Sequence, residues 1–236
     1  MVIVTGAGRA FCAGADLSSG GATFDYANRD EDEWQQEKHR DGGGRVTLRI
    51  FDSLKPVIGA INGAAVGIGA TMLLPMDIRL ASDAAKFGFV FARRGVVSEA
   101  ASSWFLPRVV GISRAVEWAV SGRIISAQEA QQGGLVRQVL PAEDLLPHAQ
   151  QMAAEIAQNT SAVSVALIRQ MMWRMLGADH PMEAHRIDSQ CMAATGASAD
   201  AKEGIQSFLE KRPAEFKLRP SADMPACFPW WKDEPF

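Results

Sequence analysis

One carboxylate, Glu99, lies in a segment that is otherwise apolar and basic. Residues 87–108, FGFVFARRGVVSEAASSWFLPR, contain no other acid, and the nearest acids along the chain are Asp83 and Glu117. A carboxylate among apolar side chains loses hydration, so its affinity for a proton rises and it can act as an acid or base near neutral pH. Alternatively, Ser98 caps a helix and Glu99 lies in its first turn, where the helix dipole favours an acid. The two interpretations are compatible.

Two glycine-rich turns, each after a predicted buried strand, could supply hydrogen-bond donors to such a reaction. AFCAGADL follows the strand VIVT (residues 2–5), and INGAAVGIGATM overlaps the end of the strand KPVIGAI. Small residues let a ligand approach the backbone, and two N–H groups directed at one oxygen form an oxyanion hole. On glycine content alone, tight packing of the turns is the simpler explanation.

The first turn also has part of the spacing of a dinucleotide-binding motif. Gly6 and Gly8 follow the first strand, but Phe11 takes the place of the third glycine, and a second turn follows instead of a helix. A short-chain oxidoreductase would need a tyrosine followed closely by a lysine, whereas the single tyrosine, Tyr26, is followed by ANRD. The sequence therefore argues against a nicotinamide-dependent enzyme.

Composition narrows the class of protein further. The 236 residues are 47% hydrophobic, which suffices for one sizeable domain with at most a small appendage. A net charge of −3 gives no basic field for nucleic acid, and three widely spaced cysteines suit a reducing compartment. The four histidines lack metal-ligand spacing, and glycines and prolines break the uncharged run 56–76. These features predict a cytoplasmic protein without metal, nucleic acid or membrane partners.

Hydrophobic patterning predicts an α/β protein. The strands VIVT, KPVIGAI and DIRLAS alternate with helical segments in the first half, and the second half is mainly helical. Residues 20–44 have the composition of a solvated loop, with Gly42–Gly44 as a hinge. Since the chain opens on a core strand and few strands are visible, we expect further strands upstream of residue 1.

Local capping patterns predict two helices in the middle of the chain. Ser113 is the predicted N-cap of a helix that ends at Gly122. Ser126 is the predicted N-cap of a helix that Gly133 and Gly134 end.

Several motifs, in order from residue 2 to about residue 217, resemble the crotonase family of enoyl-CoA hydratases and isomerases. They are GRAFCAGADL, KPVIGAINGAAVGIGATMLLPMDIRLAS, SGRIISAQEAQQGGLVRQVLP and EGIQSFLEKRPAEF. The resemblance implies an acyl-CoA thioester as ligand and no cofactor besides the coenzyme A of the substrate. It also implies a ββα spiral core at residues 1–160, a helical region at 161–217 that packs subunits into trimers or dimers of trimers, and an extended tail at 218–236.

The resemblance also implies the roles of individual residues. Ala15 and Ile68 match the two backbone donors of the oxyanion hole, and the side chain of Ile68, where many members have glycine, would narrow the acyl pocket. Phe208 and Lys211 match residues near the nucleotide end of coenzyme A, although an amphipathic surface helix also explains them. The residues matching the loop that holds coenzyme A are Ala13, Ala15, Asp16, Leu17 and Ser18.

The chain departs from the hydratases of that family in one respect and resembles the isomerases in another. Hydratases carry two glutamates that activate water, and Thr71 and Phe91 stand at those positions. Glu99, in EAASS, matches the single glutamate of Δ3,Δ2-enoyl-CoA isomerases, which lies in EGGTT or EGCSS. We therefore expect a double-bond isomerase, with hydration or non-catalytic acyl-CoA binding as alternatives. If Arg93 and Arg94 pointed inward, they would lower the proton affinity of Glu99.

The family's two strands and a helix before VIVTG are not part of this sequence. Because that segment pairs with the sheet and lines part of the coenzyme A site, we expect the stability and activity of the chain to depend on it.

Overall fold

The computed structural model describes residues 1–25 and 40–236. Eight strands in the described residues are β1 (Val2–Thr5), β2 (Ala10–Cys12), β3 (Val57–Ile61), β4 (Ala64–Val66), β5 (Ile78–Ser82), β6 (Lys86–Gly88), β7 (Ile124–Ser126) and β8 (Gln138–Leu140). The nine α-helices within residues 1–25 and 40–236 are α1 (Gly42–Phe51), α2 (Ile68–Thr71), α3 (Ser102–Val110), α4 (Ile112–Ser121), α5 (Ala127–Gln132), α6 (Ala142–Asn159), α7 (Ala162–Arg174), α8 (Pro181–Gly196) and α9 (Ala199–Glu210). None of these helices combines the length and hydrophobicity that a membrane span requires.

The chain divides into two compact units. The core unit consists of Ile3–Phe51, Ile58–Ala149 and Phe236. The helical unit consists of Met1–Val2, Asp52–Val57 and Gln150–Pro235. The domain boundaries that the sequence suggests at residues 160 and 217 stay a prediction.

Two four-stranded sheets form the frame of the core unit, in the orders β1-β3-β5-β8 and β2-β4-β6-β7. From β1 to β6, successive strands enter the two sheets alternately, so each pair of strands contributes one strand to each sheet. Neighbours are parallel in β2–β4, β3–β5, β4–β6 and β5–β8, whereas β6 and β7 are antiparallel. The predicted α/β class is confirmed.

The turn between β1 and β2 is held by a side chain from the next strand pair. Gly6 N donates to Asn62 Oδ1 (2.9 Å), and Asn62 Nδ2 donates to Gly8 O (3.0 Å). A Cβ atom at Gly63 would overlap with Arg9 O, which shows how closely the two turns approach. The Gly6–Gly8 segment thus connects two strands and does not open a helix, which removes the dinucleotide interpretation.

Large side chains fill the interior of the core unit. Phe89 stacks on Trp118 with ring centroids 6.4 Å apart, and both are buried. Other fully buried side chains are Phe87, Phe105, Ile58, Ile61, Leu73, Leu74, Met76, Leu80, Ile125 and Leu135.

Two local predictions hold and two need correction. Ser126 caps α5 by accepting from Glu129 N (3.1 Å), and Gly122 ends α4 in the left-handed conformation. Ser113 does not cap α4, because the helix begins earlier with Gly111 as its N-cap. Strand β1 lies at one end of its sheet, and Val2 is 38% exposed, so the prediction of a buried strand is wrong there.

The predicted hinge at Gly42–Gly44 is the first turn of α1. Asp41 forms the cap, since its two carboxylate oxygens accept from Gly43 N and Gly44 N, each at 2.9 Å. These hydrogen bonds satisfy backbone donors that a helix start leaves open and explain why three glycines remain helical. Of the predicted surface loop at 20–44, residues 26–39 lie outside the described residues.

The helical unit has a core of its own, to which the C-terminal segment contributes. Val163, Leu167 and Cys191 are buried there, so α7 and α8 pack together. The partly buried side chains around them include Met171, Ile187, Leu218, Met224, Cys227, Phe228 and Trp230. The segment predicted as an extended tail therefore packs against these helices.

Asp200 is a buried acid that connects three segments of the helical unit. Its carboxylate accepts from Ser161 Oγ (2.7 Å), Lys217 N (3.0 Å) and Leu218 N (3.3 Å). We expect Asp200→Ala to lower the free energy of unfolding by about 3 kcal/mol, because buried donors lose their acceptor. Asp200→Asn retains an acceptor oxygen and should cost about 1 kcal/mol or less. Urea denaturation of both variants tests this, and equal losses would contradict it.

Candidate active site

The two predicted glycine turns lie side by side at the ends of parallel strands. Strand β2 pairs with β4, with Ala10 opposite Ala64, so both strands run toward the same edge of the sheet. Gly14 (φ +102°) and Gly67 (φ +58°) follow them in conformations that favour glycine. A Cβ atom at Gly67 would lie 3.8 Å from Gly14 Cα, so the backbones of the two turns are neighbours.

Each glycine is followed by one of the predicted oxyanion donors. Ile68 is the first residue of α2, so its N–H has no intrahelical acceptor. Within the described residues, neither Ala15 N nor Ile68 N has a backbone or side-chain acceptor. Two backbone donors on adjoining turns are thus available to a ligand. The predicted loop residues Ala13, Ala15, Asp16, Leu17 and Ser18 are all exposed.

Glu99 is attached to the same short helix. Thr71 Oγ1, at the last residue of α2, donates to Glu99 Oε1 at 2.5 Å, and Thr71 itself is fully buried. Helix α2 therefore carries a free backbone N–H at its first residue and the hydrogen-bond partner of the carboxylate at its last. Thr71, which replaces a hydratase glutamate in the family resemblance, has a positioning contact that the sequence did not reveal.

The other oxygen of Glu99 lies against the first turn of α1. A Cβ atom at Gly43 would overlap with Glu99 Oε2 and would lie 2.7 Å from Ile68 Cδ1. Any side chain at position 43 would therefore occupy the space of the carboxylate. Because Gly43 has no side chain, the Glu99 carboxylate and the Ile68 side chain can both lie against it. The sequence alone did not identify Gly43 as a residue of the site.

Glu99 is followed by a turn with a strained backbone. Ala100 (φ +60°) and Ala101 (φ +52°) are both left-handed, which costs an alanine about 1–2 kcal/mol each. Ser102 Oγ donates to Glu99 O (2.6 Å), and α3 begins at Ser102 with Ala101 as its N-cap. The alternative that Ser98 caps a helix containing Glu99 is therefore wrong.

Asp41 is the second acid at the site. Besides capping α1, its Oδ2 accepts from Ala100 N at 2.6 Å. Thr47 Oγ1, from the same helix, donates to Ala100 O at 2.9 Å. Both backbone polar groups of Ala100 are thus held by α1. The residue order Asp-Gly-Gly-Gly before an amphipathic segment is an N-cap pattern that could have identified Asp41 as a cap, although not as a neighbour of Glu99.

The environment of Glu99 favours its protonated form. Burial raises the pKa of Glu99 to about 7, the hydrogen bond from Thr71 opposes the rise, and the charge and contact of Asp41 add to it. Arg93 and Arg94 are exposed, and Arg93 Nε donates to Ser121 O at 2.8 Å. Within the described residues, neither arginine contributes to the pKa of Glu99, which answers the question the sequence left open.

Residues of α1 and α2, distant in sequence, lie against the Glu99 carboxylate. Val97, an apolar neighbour of Glu99 in sequence, is 86% exposed, and Phe89 packs on Trp118. Gly43, Ile68 and Thr71 instead surround the carboxylate.

The two residues matched to the nucleotide end of coenzyme A lie in the helical unit. Phe208, on α9, is 81% exposed, and Lys211 ends that helix in the left-handed conformation. Both positions are compatible with ligand binding and with a surface helix, so their role stays a prediction.

Comparison with known proteins identifies the family. The family model described as enoyl-CoA hydratase/isomerase matches residues 1–219, and the chain belongs to this family, whose fold is the crotonase fold. It is 42% identical over 217 residues to the enoyl-CoA hydratase ACTT3 of Alternaria alternata, with 92% of this chain and 70% of the relative covered. It is 34% identical over 221 residues to the 1,2-epoxyphenylacetyl-CoA isomerase of Escherichia coli K12, covering 91% and 80% of the two chains.

Solved structures agree with this assignment. A crystal structure of a probable enoyl-CoA hydratase/isomerase from Mycobacterium abscessus superposes with a TM-score of 0.81 at 31% identity. The superposition covers 92% of this chain and 81% of that one. The family relationship is shown, whereas names of both hydratases and isomerases occur among the relatives.

Proposed function

We propose that this protein isomerises 3-enoyl-CoA to 2-enoyl-CoA, with Glu99 as the acid and base. The observation that carries the proposal is the half-buried carboxylate of Glu99, with its pKa raised to about 7, hydrogen-bonded to the helix whose first N–H is free. In the family resemblance, that N–H and the one of Ala15 bind the thioester oxygen.

The geometry suits a proton transfer between two carbons of one substrate. Glu99, as the carboxylate, removes a proton from the carbon next to the thioester, and negative charge develops on the thioester oxygen. The N–H groups of Ala15 and Ile68 stabilise that charge. The protonated Glu99 then returns the proton two carbons along, and the double bond moves into conjugation. A pKa near 7 allows both steps at neutral pH.

The side chains around Glu99 favour this reaction over attack by water. Thr71 and Phe91 stand where the hydratases of the family carry two glutamates, and neither can act as a base. Phe91 is buried, so it fills apolar space where a hydratase would hold polar groups. The Ile68 side chain ends near the Glu99 carboxylate, so it would narrow the space for the acyl chain.

Three further features of the proposal come from the family resemblance. The exposed Ala13–Ser18 loop would hold coenzyme A, and the protein would need no separate cofactor. Assembly into trimers or dimers of trimers is expected.

Hydration is the second candidate, because several of the most similar relatives carry the name enoyl-CoA hydratase. The two activities are separated by assaying one preparation with 3-hexenoyl-CoA and with 2-hexenoyl-CoA. We expect isomerisation to have the larger kcat/KM, since one carboxylate suffices for it. A larger kcat/KM for hydration would mean that a second base acts and that the single-carboxylate mechanism is wrong. Binding without turnover of either substrate would favour the non-catalytic alternative.

A further inference from the structure

The two acids of the site, Asp41 and Glu99, lie on either side of the same glycine. Gly43 N donates to Asp41 Oδ1 at 2.9 Å, and the space that a Gly43 side chain would fill holds Glu99 Oε2. Asp41 Oδ2 in addition accepts from Ala100 N, which belongs to the residue after Glu99. Asp41 is therefore bonded to Gly43, against which the Glu99 carboxylate lies, and to Ala100, which follows Glu99 in the chain.

Asp41 accepts one hydrogen bond more than the capping of α1 requires. Capping of α1 accounts for the bonds from Gly43 N and Gly44 N. The bond from Ala100 N joins a segment 59 residues away, at a residue whose left-handed conformation is strained. A strained residue persists when its surroundings fix it, and Asp41 and Thr47 fix Ala100 from both sides.

We propose that Asp41 is a positioning residue that anchors the Glu99–Ala101 turn to α1 and places its negative charge beside the Glu99 carboxyl group. A negative charge beside Glu99 disfavours the ionised form of Glu99, so Asp41 raises the pKa of that carboxyl group. Among the described residues, the groups that bear on the charge of Glu99 are Thr71 from α2, which stabilises the anion, and Asp41 from the start of α1, which opposes it. The catalytic role of Asp41 rests on the proposed function, whereas its contacts and its effect on the charge of Glu99 do not.

The variant Asp41→Asn removes the charge and keeps one acceptor oxygen, which can still accept from Gly44 N and Ala100 N, while the hydrogen bond from Gly43 N is lost. The matched control is Thr47→Val, which removes the other anchor of Ala100 and leaves both acids in place. If Asp41→Asn fails to fold, Asp41→Ser provides a second neutral cap for the same measurement.

The first readout is titration of the Glu99 side-chain carboxyl by ¹³C NMR, with its resonance assigned by its loss in Glu99→Gln. We expect a midpoint of about 7 in the wild type and in Thr47→Val. In Asp41→Asn we expect the midpoint to fall by about 1 unit. An unchanged midpoint in Asp41→Asn, or an equal fall in Thr47→Val, would overturn the proposal.

The second readout is the pH dependence of kcat/KM for 3-hexenoyl-CoA. With a base of pKa about 7, activity at pH 5.5 should be about 3% of its plateau in the wild type. In Asp41→Asn it should rise to about 24% of that variant's plateau. If the protein lacks isomerase activity, this readout fails while the NMR titration still decides the role of Asp41.

Discussion

Glu99→Gln should lower kcat for the isomerisation of 3-hexenoyl-CoA by about 10²–10⁴, the usual contribution of acid–base catalysis. Glutamine has nearly the same shape and can still accept from Thr71 Oγ1, but it can neither remove nor return a proton. The Kd for the saturated analogue hexanoyl-CoA should change less than about threefold, because the proposed binding groups are backbone N–H groups and a separate loop. Stopped-flow kinetics and isothermal titration calorimetry measure the two quantities.

The stability of the same variant serves as its control. The pKa of Glu99 is raised in the folded protein, so the stability it contributes is present at low pH and is lost as the pH rises through about 7. Glutamine does not ionise, and Glu99→Gln should therefore unfold at the same or a higher temperature than the wild type at pH 8. An active variant would contradict the catalytic assignment. A variant that is inactive because it is unfolded would show a clearly lowered Tm.

Gly43→Ala should reduce kcat/KM by about 10²-fold or more, although position 43 contributes no side chain to the reaction. The added Cβ would occupy the place of Glu99 Oε2 and would press on Ile68 Cδ1. The carboxylate must then leave its position beside α2, and the hydrogen bond from Thr71 is lost. A misplaced base acts at the wrong distance from the substrate carbon, which costs catalysis more than binding.

Gly42→Ala is the matched control for this variant. Gly42 belongs to the same first turn of α1, and a Cβ there meets nothing within 4 Å. Since alanine is the better helix former, Gly42→Ala should have wild-type kinetics and equal or slightly higher stability. Equal kinetics of Gly42→Ala and Gly43→Ala would show that Glu99 does not need its present position against α1.

The sequence predicts much of this site because two kinds of evidence are local. A lone acid in an apolar segment made Glu99 a candidate, and glycine-rich turns after strands marked two candidate segments, whereas the family resemblance assigned the roles of Glu99, Ala15 and Ile68, which stay predictions. The strands VIVT, KPVIGAI and DIRLAS carry β-branched or apolar runs that predict them directly, and all three are present. The α/β class follows from that alternation.

The site residues that the sequence did not predict are defined by contacts between distant segments of the chain. Asp41 and Gly43 look like the end of a loop, since three consecutive glycines disfavour a helix. Only the folded chain shows that Asp41 also holds Ala100 and that Gly43 makes room for a carboxylate 56 residues further on. From the sequence, Thr71 only stands where a hydratase has a glutamate. In the structure, its hydroxyl donates a hydrogen bond to the Glu99 carboxylate.

The central claim, that one carboxylate removes and returns the same proton, is tested most directly by isotope transfer. The substrate is 3-hexenoyl-CoA carrying deuterium at both positions of C2, converted in ordinary water under single-turnover conditions. Because Glu99 is half-buried and hydrogen-bonded to Thr71, its proton should exchange slowly enough for a measurable fraction of the 2-hexenoyl-CoA to carry deuterium at C4. Mass spectrometry and ²H NMR locate the label. If the wild-type enzyme forms the product at its normal rate with no deuterium at C4, the hydrogen returned to C4 is not the one removed from C2, which contradicts the claim.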